Sequence, residues 1–303
     1  MKMILQNQKL KNLNSLNNKF ENFLFGMFPA AENGYYMSFF RIAIGLVAII
    51  DAVSLIPDLE LFFSKDKIII PQELAYMSSD YVDFLNFFYN LFLKFGLVDF
   101  FYSYSIYIYL LFLSFMVIGF KTKVFAFLSL FFQILIFKSF DIFNYGFDNF
   151  LTMSLFYCLV FPVGKIYSVD NYYFKIKTQL KFPFRRFLQF HLCIVYMTSG
   201  VAKCLDPNWL DGNAIFRATR SIFRDIIDIP PLIFMIASLS VLFLELFYPF
   251  IFFNKLRKYF LFGIVAMHLG IAVVLELYSF ALIMIIWNLA AFHTFKTTSN
   301  SEN

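Results

Sequence analysis

A short stretch of the chain, YMTSGVAKCLDPNWLDG at residues 196–212, places a lysine, an aspartate and a tryptophan directly after an apolar segment. Lys203, Asp206 and Trp209 follow one another at intervals of three residues. A lysine amine that is partly removed from water holds its proton less firmly and can act as a general base. Alternatively, a lysine at the end of a membrane helix reaches toward water beside an interfacial tryptophan. The spacing leaves both interpretations of Lys203 open.

Three arginines follow this stretch with helical spacing. Arg217, Arg220 and Arg224 lie at positions i, i+3 and i+7, on a different helical face from Ile215, Ile222 and Ile226. This pattern predicts an amphipathic helix that lies on the outer membrane surface. Its arginines either contact lipid phosphates or attract an anionic substrate toward Lys203.

Two further ionisable residues interrupt apolar segments. Glu245 lies nine residues before Asn254, and His268 lies ten residues after Lys258, on two segments joined by a short basic loop. With a rise of about 1.5 Å per residue, an antiparallel helical hairpin brings both to nearly the same depth. We therefore predict that Glu245 contacts His268, either as a structural hydrogen-bonded pair or as a pair that handles protons.

The composition is typical of an integral membrane protein. Of the 303 residues, 60% are hydrophobic and only 15% are charged, whereas about 25% are charged in soluble domains. The lipid bilayer is thus the first expected partner, and we predict no nucleic-acid partner. The 47 phenylalanines, with abundant Ile, Asn and Lys, are typical of AT-rich coding. We therefore expect the inner membrane of a bacterium.

Eight apolar segments are candidate membrane helices, since a span needs about 20 residues. They are 36–56, 101–120, 124–138, 149–162, 187–203, 231–253, 259–275 and 278–294. Lysine and arginine are concentrated in every second loop, which places both termini in the cytosol by the positive-inside rule. The segment 81–100 is a further apolar candidate, but counting it would invert every later loop, so we predict an interfacial amphipathic helix there.

These segments predict an all-α, polytopic helical membrane bundle with about eight transmembrane helices plus interfacial helices. We expect a cytosolic amphipathic lead-in at 1–34, the bundle at 35–295 and a cytosolic tail at 296–303. The lead-in has no continuous apolar core and does not resemble a signal peptide. Three scattered histidines and three unpaired cysteines offer no spacing typical of a metal site, so we predict none.

Several motifs together resemble a known family. The stretch at 196–212 resembles the lysine motif of the HTTM (horizontally transferred transmembrane) family, which is related to the membrane domain of vitamin K-dependent gamma-carboxylase. Other landmarks of that family are similar to four segments here: FFRIAIGLVAIID at 39–51, FFSKDKIIIP at 62–71, NYGFDNFL at 144–151 and MHLGIAVVLELYSFALIMIIWNLAAF at 267–292. The resemblance covers nearly the whole chain and keeps the family order.

The resemblance implies a role for Lys203. In the carboxylases, the lysine of this motif deprotonates reduced vitamin K, which implies that Lys203 is a base and that a reduced quinone is a candidate cofactor. Asp148 or Asn149 stands where the carboxylases have a histidine. The chain also ends soon after its last apolar segment, without their large extracytoplasmic domain. It therefore resembles more closely the short bacterial branch that includes the sporulation-delaying protein B group, which serves in the maturation of a secreted antimicrobial peptide.

We therefore predict an enzyme-like membrane protein that modifies or matures an exported peptide or a lipid-soluble, quinone-like substrate at the outer face. A partner protein would supply the missing extracytoplasmic surface. The predicted catalytic residues are Lys203, Asp206, Glu245 and His268; the predicted substrate-binding residues are Trp209, Arg217, Arg220, Arg224 and Asp148. The alternative is a non-catalytic scaffold or immunity protein that binds a peptide or a partner subunit.

Overall fold

The fold is given by a computed structural model. It describes residues 34–64, 76–77, 79–175, 183–222 and 230–293, without the side chains of 220–222. The α-helices are α1 Tyr35–Leu55, α2 Leu59–Phe62, α3 Val82–Lys94, α4 Val98–Ile118, α5 Thr122–Phe137, α6 Gly146–Val160, α7 Val169–Phe174, α8 Phe184–Cys204, α9 Pro207–Leu210, α10 Asn213–Ile222, α11 Pro231–Leu246, α12 Asn254–Leu275 and α13 Tyr278–Phe292. Within these described ranges there is no β-strand, so the predicted all-α helical bundle is confirmed.

Four helical stretches are long and apolar enough to cross a membrane. They are Tyr35–Phe62, Val98–Ile118, Thr122–Phe143 and Asn254–Leu275. The remaining predicted spans correspond to the shorter apolar helices α6, α11 and α13 and to α8, which has 21 residues but carries Arg185, Arg186 and Lys203. These apolar helices fit a membrane protein, whereas eight spans with cytosolic termini stay a prediction.

Two predicted boundaries differ from the structure. The segment 81–100 is not one helix, because α3 ends at Lys94 and a turn at Gly96, with φ +66°, leads into α4 at Val98. With 13 residues, α3 is shorter than a span. The predicted span 231–253 consists of α11 and a 3-10 turn, Tyr248–Phe252. Pro249 has no N–H to continue α-helical hydrogen bonding, which explains this change.

The last helix, α13, lies at the centre of the bundle. It packs against α12, α1, α8 and α6. Trp287 on α13 is fully buried, and its indole N–H donates to Ser154 Oγ on α6 at 2.7 Å. The rings of Phe40, Phe150 and Tyr157 surround it. Nearly every face of α13 is thus covered by another helix.

Two polar side chains, Arg41 and Asp170, stabilise one end of the bundle. The junction of α8 and α9 lies at the other end. The buried guanidinium of Arg41 donates to the carbonyl oxygens of Val163, at 3.3 Å, and of Tyr167. The Asp170 carboxylate accepts hydrogen bonds from Lys121 N at 2.7 Å, Thr122 N at 2.8 Å and Thr122 Oγ1 at 2.6 Å. These contacts connect α1, the α4–α5 turn and the segment after α6, because carbonyl and amide groups at helix ends need partners.

The Asp170 contacts predict a pH dependence of stability. Partial burial by itself raises the pKa of this carboxyl, but the hydrogen bonds from Thr122 and Lys121 outweigh it and leave the pKa below the usual 3.8. A depressed folded-state pKa stabilises the fold above the unfolded value, and this stability is lost as pH falls through the folded value. Asp170→Asn should therefore cost about 1 kcal/mol at neutral pH, since the site is partly exposed.

Thermal unfolding midpoints across pH, measured in detergent, test this prediction. The gap between the two proteins should shrink as pH falls below 3.8. Asp83→Asn on the exposed face of α3 is the control and should change little. A gap that stays constant down to low pH would contradict the role assigned to the Asp170 carboxylate.

Candidate functional site

Lys203 on α8 and Glu245 on α11 form an ion pair. Lys203 Nζ donates to Glu245 Oε1 at 2.5 Å, and the two side chains are 21% and 6% exposed. Gly200, one turn before Lys203, lets α11 approach closely. A Cβ atom there would lie 3.0 Å from Leu246 N and 3.2 Å from Glu245 Cβ. The glycine thus allows the backbone of α11 to bring Glu245 beside Lys203.

Trp209 covers the lysine from the other side. Lys203 Nζ lies 4.8 Å from the centroid of the Trp209 ring, within the range of a cation–π contact. Asp206 positions this ring, since it is the N-cap of α9 and accepts hydrogen bonds from Asn208 N at 3.0 Å and Nδ2 at 2.8 Å. Ser238 Oγ on α11 donates to Trp209 O and attaches α9 to α11.

The structure does not show the predicted contact between Glu245 and His268. Among the described contacts, Glu245 pairs with Lys203, whereas His268 is 2% exposed and its Nε2 lies 2.8 Å from Tyr196 OH. Their partners, Lys203 and Tyr196, both lie on α8 but are seven residues apart, whereas the sequence predicted that Glu245 and His268 lie at one depth. Because α11 packs more extensively against α8 than against α12, each side chain meets a different residue of α8.

A buried hydrogen-bonded chain continues from His268. Asn288 Nδ2 on α13 donates to Tyr196 OH at 2.8 Å, and Tyr248 OH donates to Asn288 Oδ1 at 2.6 Å. The Tyr196 hydroxyl and His268 Nε2 share one hydrogen bond, and the histidine tautomer decides which of the two donates. His268 Nδ1 is buried and has no hydrogen-bond partner among the described residues.

An apolar cavity of about 480 Å³ lies beside the ion pair. Its walls come from α10, α11 and α12, and it is partly open to the surroundings. Lys203 and Glu245 are the charged residues among those that line it, and Trp209 is its aromatic wall. Glu245 Oε2 is buried and has no hydrogen-bond partner in the described part of the chain. A cavity of this size, apolar with a few convergent polar groups, is typical of a small-molecule site.

The predicted arginine helix is observed as α10. Ala214, Ile215 and Ala218 turn toward the cavity, whereas Arg217 is exposed and does not line it. The side chain of Arg220 and the whole of Arg224 lie outside the described residues. Whether this helix lies on a membrane surface stays a prediction.

Asp148 lies apart from Lys203. It is buried in the first turn of α6, where its Oδ2 accepts from Tyr145 N at 3.0 Å in a capping box. It lines a second cavity of about 270 Å³ together with Asp51 and Asn144. The two cavities share no lining residue. Asp148 is therefore not brought together with the other predicted site residues.

The structure adds residues that the sequence reasoning did not select. Tyr196, Tyr248 and Asn288 join His268 in one buried polar chain. Asn288 did carry a signal, because an amide inside an apolar helix usually has a buried partner. Tyrosine carried none, since it is common in this chain, with 18 copies.

No group of three or more possible metal ligands occurs among the residues that were described. In comparisons with known proteins, no family model, no curated protein and no solved structure matches this chain.

The ion pair predicts a thermodynamic coupling. Lys203→Met leaves the Glu245 carboxylate buried without its partner, which should cost about 3 kcal/mol. Replacing both residues, with Lys203→Met and Glu245→Gln, removes both charges and should recover most of that loss. Unfolding of the two single variants and the double variant measures the coupling. Additive effects would show that the pair contributes no interaction energy.

The Tyr196 hydroxyl predicts a second stability effect. Tyr196→Phe removes the partner of His268 Nε2 and of one Asn288 N–H, so buried polar groups lose their hydrogen bonds. We expect a destabilisation of about 1–3 kcal/mol, measured as a lower thermal midpoint in detergent. Tyr107→Phe, on an exposed part of α4, is the matched control and should have no effect. Equal midpoints for both variants would contradict the hydrogen-bonded chain.

Proposed function

We propose that this chain is a membrane enzyme of the HTTM type in which Lys203 acts as a base on a substrate that enters from the outer membrane face. The observation that supports the proposal is the position of the Lys203 amine, which lies on the wall of an apolar cavity and within hydrogen-bond distance of Glu245. A base at the wall of a water-poor cavity acts on a bound molecule without competition from bulk water.

Glu245 gives Lys203 a way to become a free base. The proton on Lys203 Nζ can pass along the hydrogen bond to Glu245 Oε1, which leaves a neutral amine and a carboxylic acid. The amine then takes a proton from the substrate, and the electron pair of the broken bond stays on the substrate.

The other predicted catalytic residues have supporting positions in this proposal. Asp206 acts through Trp209, because it caps the short helix that carries the ring. His268 acts through Tyr196, which lies on the same helix as Lys203. Asp148 belongs to a separate cavity, so it would meet only a substrate large enough to extend beyond the Lys203 site.

The substrate in this proposal is an exported peptide or a lipid-soluble, quinone-like molecule. The apolar walls and the polar pair fit a hydrophobic molecule with one polar end, as the family resemblance implies for a reduced quinone. The exposed Arg217 on α10 is available to an anionic peptide or to a partner protein with an extracytoplasmic domain.

Intact mass spectrometry of secreted peptides tests this function. Cells making the natural chain should release a species that is absent from cells with Lys203→Met and from cells with the double variant that also carries Glu245→Gln. The double variant separates loss of the base from loss of folding, because it leaves no unpaired charge at the cavity wall. The mass difference would identify the reaction, and added carbon dioxide would indicate carboxylation.

Identical peptide profiles at matched membrane levels would contradict the enzyme proposal and favour the second candidate, a non-catalytic scaffold or immunity protein. One observation supports that alternative: Lys203 is already paired with Glu245 and stacked on Trp209, as a structural ion pair would be. In a scaffold, the double variant would keep its protective or peptide-binding effect, and substitutions in α10 would abolish it.

A further inference from the structure

The cavity beside Lys203 exists because small residues face it from three helices. Ala214 and Ala218 on α10, Ala237 on α11, and Gly263 and Gly270 on α12 line it. A Cβ atom added at Gly270 would meet no heavy atom within 4 Å. The Gly270 position therefore opens onto empty space that a larger side chain could fill.

The cavity shape fits one apolar chain. α11 and α12 form much of its wall but touch each other at few points, so the space continues between them toward the outside of the bundle. Both helices also carry exposed apolar side chains, such as Leu239 and Val273. At about 480 Å³, the volume is that of a small-molecule site, which suits a single chain.

The polar end of the cavity selects the chemistry of a head group. Lys203 and Glu245 balance each other, so the pair has no net charge whichever of them holds the shared proton. A charged head group would leave an uncompensated charge in apolar surroundings, which is costly. Glu245 Oε2 is a buried acceptor with no partner in the described chain, and a donor on a ligand would satisfy it.

We propose that this cavity binds a single-chain amphiphile with an uncharged head group that donates a hydrogen bond to Glu245 Oε2, while its chain lies between α11 and α12. Long-chain amides and alcohols have this chemistry; phospholipids and fatty-acid anions do not. The inference deepens the proposed function by naming a substrate class, and it rests on that function only for the claim that the occupant reacts.

Photolabelling of the purified full chain in lipid nanodiscs tests the site. The probe is a long-chain primary amide with a diazirine in its tail, and the matched probe is its N,N-dimethyl amide, which keeps the carbonyl but has no N–H donor. We expect the primary amide to label α11 and α12 about tenfold more efficiently, as expected for a hydrogen bond to a charged group. The corresponding fatty acid should label as poorly as the dimethyl amide.

Two variants locate the binding. A Cβ atom at Gly270 meets no heavy atom within 4 Å, and leucine favours helix more than glycine does. Gly270→Leu should therefore reduce the cavity and abolish labelling while the protein stays folded. Leu269→Phe adds bulk at an exposed position of the same helix that does not line the cavity, so this variant should label normally. Equal labelling of Gly270→Leu and the natural chain would overturn the cavity as the site. Equal labelling by the two amides would overturn the role of Glu245.

Because the experiment contains no peptide and measures occupancy alone, its outcome is separate from that of the proposed function. Failed labelling together with a Lys203-dependent peptide mass would refute the amphiphile site and leave the enzyme proposal intact. Specific labelling without any Lys203-dependent mass would refute the enzyme proposal and leave the binding site intact.

Discussion

The candidate site depends on the close approach of α8 and α11 at Gly200. Without a side chain at that position, the backbone of α11 comes near enough to place Glu245 against Lys203. The pair then allows a lysine to remain at the wall of an apolar cavity, because the attraction between the two charges offsets the cost of removing them from water. Trp209 and the Asp206 cap complete this arrangement from the chain that follows α8.

A second set of polar groups joins the surrounding helices. Each member of this set comes from a different element. Tyr196 lies on α8 and Asn288 on α13, Tyr248 lies in the 3-10 turn that follows α11, and His268 lies on α12. Apolar helices in lipid gain little from the hydrophobic effect when they meet, so packing and hydrogen bonds determine which faces associate. A chain of buried side-chain hydrogen bonds has few alternative partners. It therefore stabilises one arrangement of these four elements around the Lys203 cavity.

The turn after α11 has a role in both features. Pro249 replaces the last α-helical turns of this segment with a 3-10 turn. Tyr248 in that turn packs against Tyr196, with ring centroids 4.3 Å apart, and its hydroxyl donates to Asn288. Glu245, three residues earlier, belongs to the regular helix and faces Lys203. Glu245 in the α-helix therefore lines the cavity, whereas Tyr248 in the 3-10 turn belongs to the buried polar chain.

The amino-acid sequence by itself determined the helical class, because long apolar runs predict helices whatever their neighbours are, and it identified Lys203, Trp209, Glu245 and His268 as unusual. It also predicted a common depth and a contact for Glu245 and His268 from the constant rise per residue, whereas the structure gives them different partners on α8, seven residues apart. Only the tertiary structure decided which side chains meet. Helical spacing specifies the face of each residue but not the helix that will cover that face. The contact partners of Glu245 and His268, the separation of Asp148 from Lys203 and the cavity beside Gly270 all follow from how the helices pack.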